Sequence, residues 1–219
     1  MKNLLYLVHR LPYPPYKGDK ITSFNILKHL SIRHNVYLGC FIDDSNDRQY
    51  VPVVKKYCAD MCVVQLNPHY RKVMSLQGLL TNDALSLPYY KSKKLQDWVD
   101  SQIKARDIDG VFILSGVMAQ FVSAHQDSIP RSVLDLEDVD SDKWQLYAKD
   151  HKWPLNWIFL RESKKLLEYE RRMAYLFDVT LFVSEEEAKL FKAMVPEVAH
   201  KIRYRVQGVD GKYFDPNLK

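Results

Sequence analysis

An α/β fold, with a mainly parallel sheet wound on both faces by helices, is what the sequence predicts on three observations. Short, continuously apolar runs recur along the chain, runs with helical periodicity alternate with them, and no internal repeat or low-complexity tract interrupts the alternation. A strand that is apolar on both sides needs cover on both sides. The first run, residues 3–8 (NLLYLV), is such a strand. Ile21, Phe24, Leu27 and Leu30 then recur at helical spacing behind Asp19, which stands where a capping residue would, and residues 36–42 form a second strand. A helix over 51–57 and a strand over 61–66 follow, and then a helix-rich stretch over 70–106. Residues 110–114 are the fourth strand, 117–124 a helix, and 132–135 a fifth strand that opens into a polar loop over 136–141. A long helix over 156–176, a strand over 179–183, a helix over 185–193 and a last strand over 202–206 complete the pattern.

At 219 residues, with 47% hydrophobic and 27% charged residues, the chain can bury a full core as one domain. The expected division is a folded domain over 1–206 and a linker over 207–219. The apolar run behind Met1 is too short for a secretion signal, and no run approaches the ~20 residues of a membrane span, so a cytoplasmic location is expected. Cys40, Cys58 and Cys62 are odd in number and lack the spacing of zinc or redox sites, so they are expected to be buried free thiols. Neither a metal nor a cofactor is expected. The net charge of +5 is mild for a nucleic-acid binder, and nucleic acid is not an expected partner; phosphates or an anionic inner leaflet suit it better.

In a Rossmann-like doubly wound sheet, ligands bind where the strand order reverses, because the loops leaving two neighbouring strand ends splay apart there. Between strand one and the first helix lies HRLPYPPYKGDK (9–20). Its three prolines stiffen the loop, Gly18 allows backbone approach, and the helix that follows offers free N–H groups and a positive dipole end. Arg10, Lys17 and Lys20 add charge, and His9 ends the strand. The segment has the makings of a phosphate or sugar cradle. Ser115 and Gly116 after strand four, and the run LEDVDS (136–141) after strand five, are expected beside it. A G-x-G-x-x-G or G-x-x-x-x-G-K-[ST] is missing, which argues against a dinucleotide dehydrogenase and a P-loop nucleotidase.

The opening HRLPYPPYKGDK, LEDVDSDKW (136–144), YERR (169–172), LFVSEEEA (181–188) and QGVDGKYFDP (207–216), in that order, resemble the N-terminal half of family 4 retaining glycosyltransferases. Within that family the sequence is similar to exosortase-associated sugar transferases of bacterial exopolysaccharide loci. The resemblance implies half of a GT-B enzyme, whose N-terminal domain binds the acceptor, either a glycan or a polyprenyl-diphosphate-linked sugar. The nucleotide-sugar donor would be held by a C-terminal domain beyond this chain, with no obligatory metal. It also implies a glycine loop at Gly18, where Asp19 replaces the family's second glycine and either caps the helix or binds an acceptor hydroxyl. Where relatives carry a histidine after a central strand, this chain offers Glu137, Asp138 and Asp140. Asp138 is the carboxylate expected to orient the sugar.

Several residues carry plainer alternatives. His9 touches substrate or is satisfied by backbone; Ser184 caps a helix or lines the cleft; Glu168 and Arg172 form an exposed helical pair; Glu170 is buried and paired; Gln207 and Gly208 make a hinge. Tyr70, Val73, Met74, Leu79 and Leu80 interleave with Arg71 and Lys72 ahead of Lys91, Lys93 and Lys94. That is the pattern of a peripheral membrane element or of helices covering the sheet. The competing class for the whole chain is a stand-alone, non-catalytic Rossmann-like binding domain.

Overall fold

The computed structural model describes residues 1–208. The strands are β1 (Lys2–Val8), β2 (His34–Ile42), β3 (Asp60–Gln65), β4 (Ile108–Leu114), β5 (Ser132–Glu137), β6 (Val179–Phe182) and β7 (Ile202–Tyr204). The helices are α1 (Gly18–Ser31), α2 (Val51–Lys55), α3 (Pro68–Ser75), α4 (Gln77–Thr81), α5 (Ser86–Tyr90), α6 (Lys93–Ala105), α7 (Asp140–Lys149), α8 (Leu155–Leu176) and α9 (Glu185–Met194). All pairings are parallel in the order β3-β2-β1-β4-β5-β6-β7, so the sheet is Rossmann-like and reverses between β1 and β4.

The central strands are apolar because both of their faces are covered. Leu5 and Leu7 face one side of β1 and join a core with Phe41, Val99 and Phe121; Tyr6 and Val8 face the other and join Phe24, Leu27 and Leu38. Strands β1, β2, β4 and β5 run slightly past the apolar runs, since backbone pairing continues where side chains turn polar, whereas β6 and β7 stop short of the expected 183 and 206. Two differences matter more. Residues 116–121 form a tight 3-10 helix rather than an α-helix, and residues 136–141 are not a loop: β5 runs on to Glu137 and α7 starts at Asp140. Cys40 and Cys62 are buried, whereas Cys58 is only partly so.

Helix α8 explains how α7 is held. Its inward stripe of Glu162, Leu166, Tyr169, Glu170 and Met173 includes two acids, each aimed at a helix amino end. Glu162 accepts from the Leu85 and Ser86 N–H groups at 2.6 and 3.1 Å, and Glu170 accepts from the Ser141 N–H at 3.2 Å and hydroxyl at 2.6 Å. Unpaired N–H groups at a helix start favour a carboxylate, so these buried acids cap from another helix. Glu170 is thus buried as expected, with a hydroxyl and an amide as partners. The expected Glu168–Arg172 pair is not formed: Glu168 takes Lys165 at 2.7 Å, and Arg172 lies over the Tyr169 ring.

Burial pushes the Glu170 carboxyl up from 4.5 to about 8, against the Ser141 hydrogen bonds that pull it down. The folded chain therefore keeps a proton that the unfolded chain releases above its ordinary value. This contribution to stability is full below pH 4.5 and is lost as the pH rises through about 8. Glu170→Gln, which keeps an acceptor for Ser141, is expected to flatten that loss: urea midpoints compared at pH 5 and 8 fall less for the variant than for the native chain.

Candidate functional site

The loop after β1 is packed rather than open. Leu11 donates its N–H to the Phe41 carbonyl, and Tyr13 sits edge-on to Phe24 and Tyr50 at 5.1 and 5.4 Å. Leu11 and Tyr13 thus anchor the loop to the β2 side of the sheet. The chain then arrives at α1 with Lys17 in extended backbone and no side chain capping the helix. Asp19 is not the cap. It stands one residue inside the helix and is captured by two groups from the end of β1: His9 Nε2 at 3.2 Å and Arg10 Nη1 at 2.9 Å. Burial works against its charge, yet His9 and Arg10 hold the Asp19 carboxyl well below the usual carboxylate range. His9 is satisfied by this carboxylate on one nitrogen, while its Nδ1 is buried without a hydrogen-bond partner among the described residues.

Of the three cations expected in this loop, only Lys17 stays exposed. Arg10 donates to Asp19 and, through Nε, to Asp43 at 2.8 Å. Burial opposes its charge, but these two carboxylates raise its pKa. Lys20 is no ligand-binding group. It is 1% exposed on the inward face of α1, its Nζ 2.5 Å from the buried Asp47 and 3.3 Å from the Tyr16 hydroxyl. Gly18 has no positive φ, and a Cβ there would meet Gln207 Nε2 at 3.6 Å, an ordinary contact. The fold itself does not demand glycine at this position.

On the other side of the reversal, Ser115 and Glu137 end the adjacent strands β4 and β5 with φ of 79° and 66°. Such backbone is strained for a residue with a Cβ, by about 1–3 kcal/mol each. The register of β5 against β6 shifts between Asp135 and Glu137, a bulge that re-aims the Glu137 side chain. Asp135, 0% exposed, holds the bulge: its Oδ1 accepts from the Glu137 N–H at 3.0 Å, and its Oδ2 is ion-paired with Arg205 Nε beyond β7. Gly116 is buried, and a Cβ there would stand 2.9 Å from Leu136 Cδ2, so its smallness serves packing rather than a ligand. Asp138 is paired with Lys143 at 2.6 Å, and Asp140, the first residue of α7, lies 3.5 Å from the same Nζ. Ser184 caps α9, accepting from the Glu187 N–H at 3.1 Å. Glu187 in turn accepts from the Val139 N–H at 2.6 Å, so α9 steadies the turn beside the crevice.

The reversal thus gathers His9, Arg10, Asp19, Glu137, Asp138 and Asp140, and leaves Lys20, Gly116 and Ser184 to structure. Glu137 is the residue whose importance the sequence understated. Its carboxylate has no hydrogen-bond partner among the described residues. Burial, then Asp135, Asp19 and Asp138 nearby, push it up to about 8 against the pull of Arg205. Among the described residues no three histidine, cysteine, aspartate or glutamate side chains converge as a metal ion needs. The crevice is therefore a carboxyl-rich wall in which Arg10 and Lys143 are already engaged and Lys17 stays exposed. It can exchange hydrogen bonds with hydroxyl groups more readily than it can neutralise a diphosphate. A separate apolar cavity of about 510 Å³ runs under α1 against Phe112 and Leu181 and ends at Arg205 and Gly208. The expected hinge at Gln207 and Gly208 starts there, with Gln207 Nε2 donating to the Gly18 carbonyl at 2.9 Å. The rest of the QGVDGKYFDP motif and of the expected linker lies outside the described residues.

The structural place of Lys20 has a direct consequence. Asp47→Ala, which strands a buried ammonium, is expected to cost about 3 kcal/mol of stability in urea unfolding. Gly18→Ala, by contrast, is expected to leave the unfolding midpoint unchanged or slightly raised. A stability loss at Gly18 equal to that at Asp47 would contradict this assignment.

No protein-family model and no curated protein sequence matches the chain. Among solved structures, the N-terminal domain of trehalose-6-phosphate phosphatase from Candida albicans is similar, with a TM-score of 0.54 and 10% sequence identity over 97% of this chain. The chain spans half the length of that structure, 50% of it being covered. At this identity the likeness is one of fold, and that fold is Rossmann-like.

Proposed function

We propose that this domain is the acceptor-side half of a retaining glycosyltransferase. The whole enzyme would move a sugar from a nucleotide-sugar donor to a glycan or lipid-linked acceptor in bacterial exopolysaccharide synthesis. The observation that carries the reading is the carboxyl-rich crevice at the β1/β4 reversal, with its strained Glu137 and pre-engaged Arg10. It is supported by the order of the motifs that lead into and out of that crevice. An acceptor offers hydroxyls, which such a wall suits; the donor's diphosphate needs cations and free N–H groups, which a second domain would supply.

In this reading Glu137 is protonated at neutral pH and donates a hydrogen bond to a sugar oxygen, while Asp138, fixed by Lys143, accepts from the acceptor hydroxyl and orients it. Bound hydroxyls between these two groups would present the attacking oxygen in one direction. Lys17 and the uncapped start of α1 border the same crevice and are the groups left to meet an anionic part of the substrate. The His9–Arg10–Asp19 cluster forms the opposite wall and is held by its own ion pairs.

The test is sugar transfer by the two-domain protein that carries this chain. Glu137→Ala is expected to lower turnover by about a hundredfold. Glu137→Gln, which can still donate, keeps most of the activity and loses the decline that the native enzyme shows as the pH rises through about 8. Asp138→Asn lowers transfer, and the isolated 219-residue chain transfers no sugar. Unchanged kinetics in both Glu137 variants would place the chemistry elsewhere. Glycan binding without transfer by any form of the protein would favour the non-catalytic binding domain.

A further inference from the structure

Eighteen large apolar side chains stand exposed among the described residues, and eleven of them fall within 70–80 and 146–160. These two segments are far apart in sequence but adjoin in space. Trp157, Leu160, Arg161 and Lys164 share one face of α8 at helical spacing, and Arg161 on that face donates to the Gly78 carbonyl at 2.7 Å and the Asp83 carbonyl at 3.1 Å. The exposed Leu79 and Leu80 beside Gly78 and the exposed Trp157 and Leu160 beside Arg161 therefore border one another, with α3 leading into α4 and Trp153 one helical turn before Trp157. The most prominent of these side chains are Leu80 at 89% exposure and Trp153 at 81%. Exposed apolar residues scattered singly are ordinary; a contiguous concentration of this kind is an interaction surface.

The charges around it choose the partner. Lys93, Lys143 and Lys165 are ion-paired with Asp97, Asp138 and Glu168, whereas Arg71, Lys72, Lys91, Lys149, Lys152 and Lys164 form no ion pair with an acid among the described residues. Protruding tryptophan and leucine ringed by lysine and arginine complement a surface that is apolar within and anionic at its rim, which is the headgroup region of a bilayer. We propose that α3, α4 and the α7–α8 turn form the surface by which this protein docks on an anionic phospholipid membrane, with Trp153, Trp157 and Leu80 entering the headgroup–acyl boundary. No helix among the described residues is long and apolar enough to cross a membrane, so the docking is peripheral. Helix α7 runs from Asp140 at the crevice to this turn, a distance of about 15 Å at 1.5 Å per residue, so a membrane-borne ligand would lie within reach of the site. The docking surface does not rest on the sugar-transfer reading, and its test does not measure transfer.

The test is flotation of the full chain with phosphatidylcholine vesicles, with and without phosphatidylglycerol, combined with tryptophan emission in vesicles carrying brominated acyl chains. Docking predicts capture by the anionic vesicles, weakened roughly a thousandfold when Arg71, Lys72, Lys149 and Lys152 are changed to glutamine. It also predicts bromine quenching that disappears in a Trp153→Phe/Trp157→Phe variant that still floats. A Leu80→Ser/Trp153→Ser/Trp157→Ser variant, folded by its unchanged melting curve, is expected to remain in the soluble fraction. Absence of capture, capture without quenching, or burial of the tryptophans by self-association in the absence of lipid would each overturn the proposal.

Discussion

The buried Asp135 carboxylate is the constraint on which the site depends. It gathers the Glu137 N–H from the bulge of β5 and the guanidinium of Arg205 from beyond β7, and Arg205 is itself tied by its N–H to the Phe182 carbonyl at the end of β6. Three strand ends are thereby fixed by one side chain with no exposure. Burial pushes the Asp135 carboxyl up while Arg205 pulls it down, so each partner needs the other; stranding one of them inside the sheet would cost about 3–5 kcal/mol. The positive φ of Glu137 persists because this arrangement over-determines it. Without the Asp135 tie, ordinary β geometry would carry the Glu137 side chain to the other face of the strand.

Opposite that wall, His9, Arg10, Asp19 and Asp43 form a second fixed cluster across the reversal between β1 and β4. The two walls differ in kind. On the β1 side, charges are paired and the Asp19 carboxyl is held well below the usual range; on the β5 side, burial and then the nearby carboxylates push the Glu137 carboxyl up to about 8. A hydroxyl-bearing ligand between them would meet a proton donor on one side and acceptors on the other. On the proposed reading, this asymmetry is what suits the crevice to a hydroxyl-bearing ligand.

The layout of the sheet was legible because its strands are buried on both faces and so are written as unbroken apolar runs, and the crevice was legible because parallel sheets place it by topology. Helix α7 was not. Its sequence is polar, and its stability comes from Glu170 and from Trp144 packed against Phe159 of α8, contacts made across the α7–α8 turn. The apolar run 116–121 has every residue but Gln120 buried, so no face distinguishes one helical period from another. Lys20 looked like a ligand group because Asp47, its partner, lies 27 residues away. Asp135 and Arg205 are 70 residues apart, and no local pattern announces a positive φ at a glutamate. Apart from the 116–121 helix, whose period was not readable, what sequence hid was a tertiary pairing.

The measurement closest to the central claim is a structure of the two-domain protein bound to an unreactive nucleotide-sugar analogue together with a hydroxyl-bearing acceptor. The account predicts acceptor oxygens within hydrogen-bond distance of Glu137 and Asp138, between the ends of β1 and β5, with the nucleotide held by the other domain. An acceptor seated elsewhere, with the Glu137 carboxyl still unengaged in the ternary complex, would contradict it.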